Sequence, residues 1–276
     1  MSVSRVGEHT VVAGGIRARV LEEGSGSPIL LLHGGALGSS ADVWERNFGP
    51  LAARGLRAIA VDLPGNGGTE APPEPTEAYR RRFLLELLDA LEIEHVGVVG
   101  HSSAGGLTLS LGFERPDRVS RIMILGTHSL LPPLPEGEEA AEPTGEGGRA
   151  ASEPTIDDVR AVLEEQLFDH ALITSEVLEA RLRIGAMRTR PAARVSGGAG
   201  DRQAERQVLW QRLDQLPVPL LMMYGSDDQP TTPRRLALLR ERYPSLDVRI
   251  VDRCAHLIQW DAAAQFEAAA GAFFGA

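Results

Sequence analysis

Residues 96–106 constrain this chain more than any other stretch. They run Val-Gly-Val-Val-Gly-His-Ser-Ser-Ala-Gly-Gly: a short apolar strand, a tight turn, then small residues opening a helix. Ser102 falls at the turn. A sharp strand-to-helix turn needs small neighbours, because the two elements pass close together, and it holds the serine hydroxyl out above the sheet edge. Gly100 stands two residues before Ser102 and Ala104 two after, followed by Gly105 and Gly106. Ser103 offers a second register, with Gly105 two after but His101 two before. Alone, the stretch also reads as a glycine-rich turn with a capping serine.

It does not stand alone. Upstream, an apolar strand at 28–33 ends in His33-Gly34-Gly35. Glycine lets a backbone N–H approach a developing oxyanion with no side chain in the way, and the expected donors are the N–H groups of Gly35 and Ser103. Downstream, a strand at 219–224 leads to Asp227 and Asp228, and a strand at 248–251 leads to His256. A serine hydroxyl is a weak nucleophile without a base. A histidine can take its proton and pass it on, and a buried carboxylate sets the histidine's tautomer. Ser102, Asp228 and His256 are therefore the expected catalytic set, in an order that suits a strand-turn-helix serine. Asp228 is preferred as the third residue after Gly225; Asp227 stays open. A lone histidine is more often structural, but this one follows a strand, behind an acid and behind the serine turn.

Composition excludes other classes. The 276 residues carry a net charge of −10, which disfavours a protein that tracks nucleic-acid phosphates. All 28 basic residues are arginine, so no lysine is there to form a Schiff base. One cysteine, Cys254, leaves no intrachain disulfide, and no Cys/His spacing suits zinc. No cofactor and no metal are expected. The first residues lack the charged and apolar regions of a signal peptide, and no apolar run is long enough to span a membrane. A cytoplasmic protein with no nucleic-acid or membrane partner is expected.

Strand and helix signals alternate along the chain. A hairpin at 8–12 and 16–22 turns at Ala13-Gly14-Gly15. Strands follow at 28–33, 56–61, 96–100, 121–125, 219–224 and 248–251. Helices are expected at 42–54, 76–91, 103–114, 233–242 and 262–274. This alternation predicts a mostly parallel sheet of eight strands with helices on both faces. Residues 129–216 hold no convincing strand. Helices at 155–168, 174–188 and 201–213 make this an all-helical cap inserted between core segments 1–128 and 217–276. Its 132–154 stretch is rich in Pro, Gly, Glu and Ala, and is expected to be flexible. It reads either as a gating lid or as a passive loop.

Across its whole length the chain resembles the α/β-hydrolases that cleave C–C bonds in meta-cleavage products of aromatic-ring degradation. The resemblance rests on His33-Gly34-Gly35, on Asn47-Phe48-Gly49-Pro50-Leu51 and on Asp62-Leu63-Pro64-Gly65. It extends to Phe168-Asp169 with Ile173-Thr174 and Arg181 in the cap, and to His256 followed by Gln259-Trp260-Asp261. Departures are His101, where the family usually has asparagine, Ser103, where it has a large apolar residue, and Leu257, where an aromatic residue is common. The resemblance implies an α/β-hydrolase fold and C–C hydrolysis by Ser102, His256 and Asp228. The implied substrate is a small acidic or aromatic-derived ketone, ketonised from its dienol so that the leaving group departs as a stabilised dienolate. It further implies substrate contacts by Gly34, Asn47, Arg181, Leu257 and Trp260, with Arg181 on the substrate carboxylate, and a homodimer. Positions three and four residues from Arg181 hold Val177, Leu178, Ile184 and Gly185, so no acid pairs with it along its own helix. Pairing with an acid on another element stays open. An esterase or lactonase with the same residues, and a non-hydrolytic lyase, cyclase or binding protein, remain alternatives.

Overall fold

The structure, a computed structural model, describes residues 6–135, 138, 153–187 and 209–275. Strands β1 (Gly7–Ala13) and β2 (Ile16–Glu23) form an antiparallel hairpin. β3 (Ser27–Leu32) leads to a 3-10 turn at Ala41–Trp44 and helix α1 (Phe48–Ala52). β4 (Leu56–Val61), α2 (Glu77–Ala90), β5 (Val96–His101), α3 (Ala104–Glu114) and β6 (Val119–Leu125) follow. The described part of the insert holds α4 (Ile156–Gln166), α5 (Ser175–Met187) and a 3-10 segment, Trp210–Gln215, and no strand. β7 (Leu220–Gly225), α6 (Thr232–Arg242), β8 (Asp247–Val251), α7 (Ile258–Asp261) and α8 (Ala263–Phe274) close the chain.

The eight strands form one sheet in the order β1-β2-β4-β3-β5-β6-β7-β8. β2 pairs antiparallel with β4, and every later pairing is parallel. This is the α/β-hydrolase architecture. Successive strand residues point to opposite faces, and both faces are covered. Leu30, Val98 and Ile124 pack with Leu87 and Leu111 from α2 and α3. Leu31, Val99 and Met123 pack on the other face with Trp44, Phe48 and Phe266. Every residue of β5 is buried, which is why it reads as an unbroken small and apolar run. From β3 the chain passes to β4 on one side and then to β5 on the other. The crevice at the carboxyl ends of β3 and β5 is therefore the switch point where open α/β sheets place ligands.

The single helix expected at 42–54 is instead a 3-10 turn and a five-residue helix. Pro50 explains the break. Its ring would strike the carbonyl four residues back in a continuous helix, so the helix restarts at Phe48 with Pro50 in its first turn. The helix expected at 262–274 is preceded by the separate turn α7, with Ala262 kinked between them. The flexible stretch expected at 132–154 lies outside the described residues at 136–137 and 139–152, as does the helix expected at 201–213 up to residue 208. Among the described residues, no helix is long and apolar enough to cross a membrane.

Candidate active site

Ser102 has φ +55, a left-handed conformation that residues with a Cβ rarely adopt. The strain is sustained by close packing. A Cβ on Gly100 would run into Thr108 Oγ1, and Thr127 Oγ1 donates to the Ser102 carbonyl at 2.8 Å. Ser103 caps α3 from the helical region, so its N–H lies at the helix start, where no carbonyl four residues back can accept it.

His256 Nε2 lies 2.8 Å from Ser102 Oγ. Its Nδ1 lies 3.0 and 3.1 Å from the two oxygens of Asp228. Burial works against charge on Asp228, but the imidazoles of His256 and His128 outweigh it and hold the carboxyl well below the usual range. Asp228 is therefore ionised, so Nδ1 of His256 donates to it, and Nε2 is left to accept from the serine hydroxyl. The neighbouring Asp227 is exposed and takes the Ser226 hydroxyl at 2.5 Å.

Gly34 and Gly35, the glycines expected to form the oxyanion loop, stand against the serine turn. A Cβ on Gly34 would lie 2.9 Å from Ser102 Cβ, and one on Gly35 would lie 3.1 Å from Ser103 Oγ. His33 sets this loop. Its Nε2 accepts from the Leu63 N–H at 2.9 Å, so its Nδ1 carries the proton and donates to the Gly34 carbonyl at 2.7 Å.

Arg181, on α5, is 5 % exposed, and neither terminal nitrogen has a hydrogen-bond partner among the described residues. Its guanidinium lies over the Trp260 ring, 5.5 Å from the centroid. Burial pushes it down to about 10, still charged at neutral pH. Its backbone carbonyl packs against Gly38 of the oxyanion loop, and its charge helps keep His101 neutral. Trp260 is fixed by its indole N–H, which donates to the Val43 carbonyl at 2.7 Å. Leu257 is buried, and its N–H donates to the Gln166 carbonyl at the end of α4, tying the insert to the histidine loop.

Asn47 departs from its expected substrate contact. It is fully buried, and its amide nitrogen donates to the Gln259 carbonyl and to Glu267 Oε1, each at 3.0 Å. Both amide hydrogens are consumed in tying α1 to α7 and α8, while its Oδ1 has no hydrogen-bond partner among the described residues.

Two histidines flank His256: His101, noted in the sequence as a departure from the family pattern, and His128, not singled out there. His101 donates from Nε2 to the His256 carbonyl at 3.1 Å. Burial and the nearby His256 push it down to about 3, so it is neutral, with Nδ1 buried and without a partner among the described residues. His128, just after β6, stacks on His256 with ring centroids 5.7 Å apart and planes 17° apart. Its place after a central parallel strand, like that of Asp228 and His256, was the signal available in the sequence.

Residues 27–263 match the family model of the alpha/beta hydrolase fold. The chain is 28% identical to the 2-hydroxymuconate semialdehyde hydrolase of Pseudomonas sp. (strain CF600), covering 95% of this chain and 92% of that one. It is 28% identical to the 2-hydroxy-6-oxo-6-phenylhexa-2,4-dienoate hydrolase of Burkholderia cepacia, covering 91% and 88%. Among solved structures it is similar to a meta-cleavage product hydrolase from Pseudomonas fluorescens IP01, with a TM-score of 0.77, 24% identity and 98% of each chain covered. With the family model spanning most of its length, this chain belongs to the α/β-hydrolase fold family.

Proposed function

We propose that this protein hydrolyses a carbon–carbon bond in a 2-hydroxy-6-oxo-dienoate, the substrate type in the names of several of its relatives. The observation that carries this reading is Arg181. A guanidinium so buried, its terminal nitrogens without a partner among the described residues, is costly, and a substrate carboxylate supplies that partner with bidentate geometry. A plain ester has no use for it, so the esterase and lactonase readings are not favoured.

Arg181 holds the carboxylate end against Trp260, with Gly34 and Leu257 beside the reacting centre. The dienol is first ketonised, taking a proton on the carbon next to the distal ketone. Ser102 Oγ then adds to that ketone while His256 Nε2 takes its proton, and Asp228 stabilises the imidazolium. The N–H groups of Gly35 and Ser103 receive the oxyanion. Collapse breaks the C–C bond. The electron pair leaves on carbon as a dienolate conjugated to the carboxylate, and His256 returns the proton. Water then releases the acyl group by the same route in reverse. The described helices of the insert, α4 and α5, act as a lid that brings Arg181 over the crevice and excludes water.

The test uses purified protein and 2-hydroxy-6-oxo-6-phenylhexa-2,4-dienoate, followed by loss of its yellow colour. Benzoate and 2-hydroxypenta-2,4-dienoate in equal amounts are expected. A persistent yellow solution alongside rapid turnover of a p-nitrophenyl ester would refute the C–C reading.

A further inference from the structure

The acid of the Ser102–His256–Asp228 chain is shared. Nε2 of His128 lies 3.1 Å from Asp228 Oδ2 and 3.1 Å from Thr232 Oγ1. A bare lone pair on that nitrogen would face a carboxylate oxygen, so Nε2 carries the proton and offers it to both oxygens. Asp228 is almost wholly buried, with 3% of its side chain exposed, and a carboxylate in that setting needs its lone pairs filled. His256 fills one side, and His128 stands at the other.

We propose that His128 is a positioning residue for the triad, its Nε2–H holding Asp228 so that the carboxylate faces His256 Nδ1. The inference rests on the triad reading above. It needs nothing from the identity of the substrate. Without that donor the carboxylate is held from one side only, and its charge is no longer divided between two imidazoles. Two effects follow. The histidine is less well oriented toward Ser102, which slows proton removal. The undivided charge also draws a proton onto the imidazole more strongly, so the loss of activity on acidification begins at a higher pH. The other groups facing His128 are the Tyr224 ring, with centroids 6.2 Å apart, and Arg235, which donates from Nη2 to the His128 carbonyl at 2.8 Å. Tyr224 gives its hydroxyl to the Thr127 carbonyl and Arg235 gives its guanidinium to the carbonyls of His128, Leu131 and Pro132, and both residues are retained in the variants below.

His128→Phe removes the donor. His128→Gln keeps an N–H near the position of Nε2 and, like phenylalanine, does not titrate. The probe is ethyl p-nitrophenyl methylphosphonate, which phosphonylates an activated serine and releases one p-nitrophenolate whatever the natural substrate. With His128→Phe the limiting rate of phosphonylation should fall roughly tenfold or more, the scale of one hydrogen bond to a charged group, with half-saturation nearly unchanged. His128→Gln should stay within about threefold of the parent, as expected when that hydrogen bond is kept. The acid limb of the pH–rate profile should lie at higher pH for His128→Phe than for His128→Gln. Thermal unfolding of both variants controls for misfolding. Coincident rates and acid limbs in the two variants would overturn the proposal. Phosphonylation that persists in Ser102→Ala would instead overturn the triad reading, so the two failures are distinguishable.

Discussion

Replacing Arg181 with methionine should make the protein more stable and less active, and the structure sets both magnitudes. Burial moves the guanidinium from 12.5 to about 10. At about 1.4 kcal/mol per pH unit, that places the penalty on the charged form at about 3 kcal/mol. The sign follows from linkage. The folded value is depressed, so the folded state pays this penalty fully below about pH 10 and is relieved only as pH rises from there toward 12.5. The gain on substitution is therefore constant between pH 6 and 9. Against it stands the loss of the arginine's contact with the Trp260 ring, about 1–2 kcal/mol for a desolvated cation–π pair. The net gain is about 1–2 kcal/mol, or roughly 2–8 °C in Tm for a chain of this size. Methionine is unbranched and fills the vacated space without a polar group. On the dienoate, the lost bidentate contact should cost roughly 10²-fold or more in kcat/KM, while a neutral p-nitrophenyl ester should change little. Differential scanning calorimetry and the paired assays read both arms. A lower Tm, together with equal losses on the acidic and neutral substrates, would refute the reasoning, because Arg181 would then be a paired structural residue.

Ser102→Ala should lose roughly 10⁴-fold or more in kcat yet still bind the dienoate, as equilibrium titration would show, whereas Ser103→Ala should keep most turnover because it contributes only its backbone N–H. Asp228→Asn should cost about 10⁴-fold through the wrong His256 tautomer, and Asp227→Asn little, since only Asp228 reaches the imidazole; equal losses in steady-state assays would reverse the assignment. His101, near 6.5 when unfolded and about 3 when folded, takes up its proton preferentially in the unfolded state. Its burial therefore costs increasing stability as pH falls from 6.5 toward 3, and His101→Gln should flatten urea midpoints over that range by up to about 1.4 kcal/mol per pH unit. A slope identical to that of the parent would show that His101 is not buried neutral.

Much of this architecture is local enough to read from residues alone. β5 lies between two other parallel strands with helices on both faces, so its residues had to be small or apolar throughout, and the stretch up to Gly100 announces it. The turn at Ser102 announces itself in the same way, because strain at φ +55 is bearable only where Gly100 lets strand and helix close together. Ser102, His256 and the oxyanion-loop glycines follow strand ends, and a parallel sheet gathers its strand ends at one edge. Pro50 also carried its message, a broken helix, although the apolar period across 42–54 masked it. Other features depended on which side chains the packed core brings together from distant positions. Asp227 and Asp228 are chemically identical neighbours, and only the path of the loop after β7 turns one toward His256 and leaves the other in solvent. Asn47 looked like a polar group for a ligand until α7 and α8 closed over it and consumed its hydrogens. His128 and His101 lie 27 residues apart, and the sequence gives no sign that both would pack against His256. Burial around β5, β6 and α6 puts one beneath the catalytic carboxylate and the other beneath the imidazole, because hydrogen-bond partners and desolvation are properties of the assembled interior.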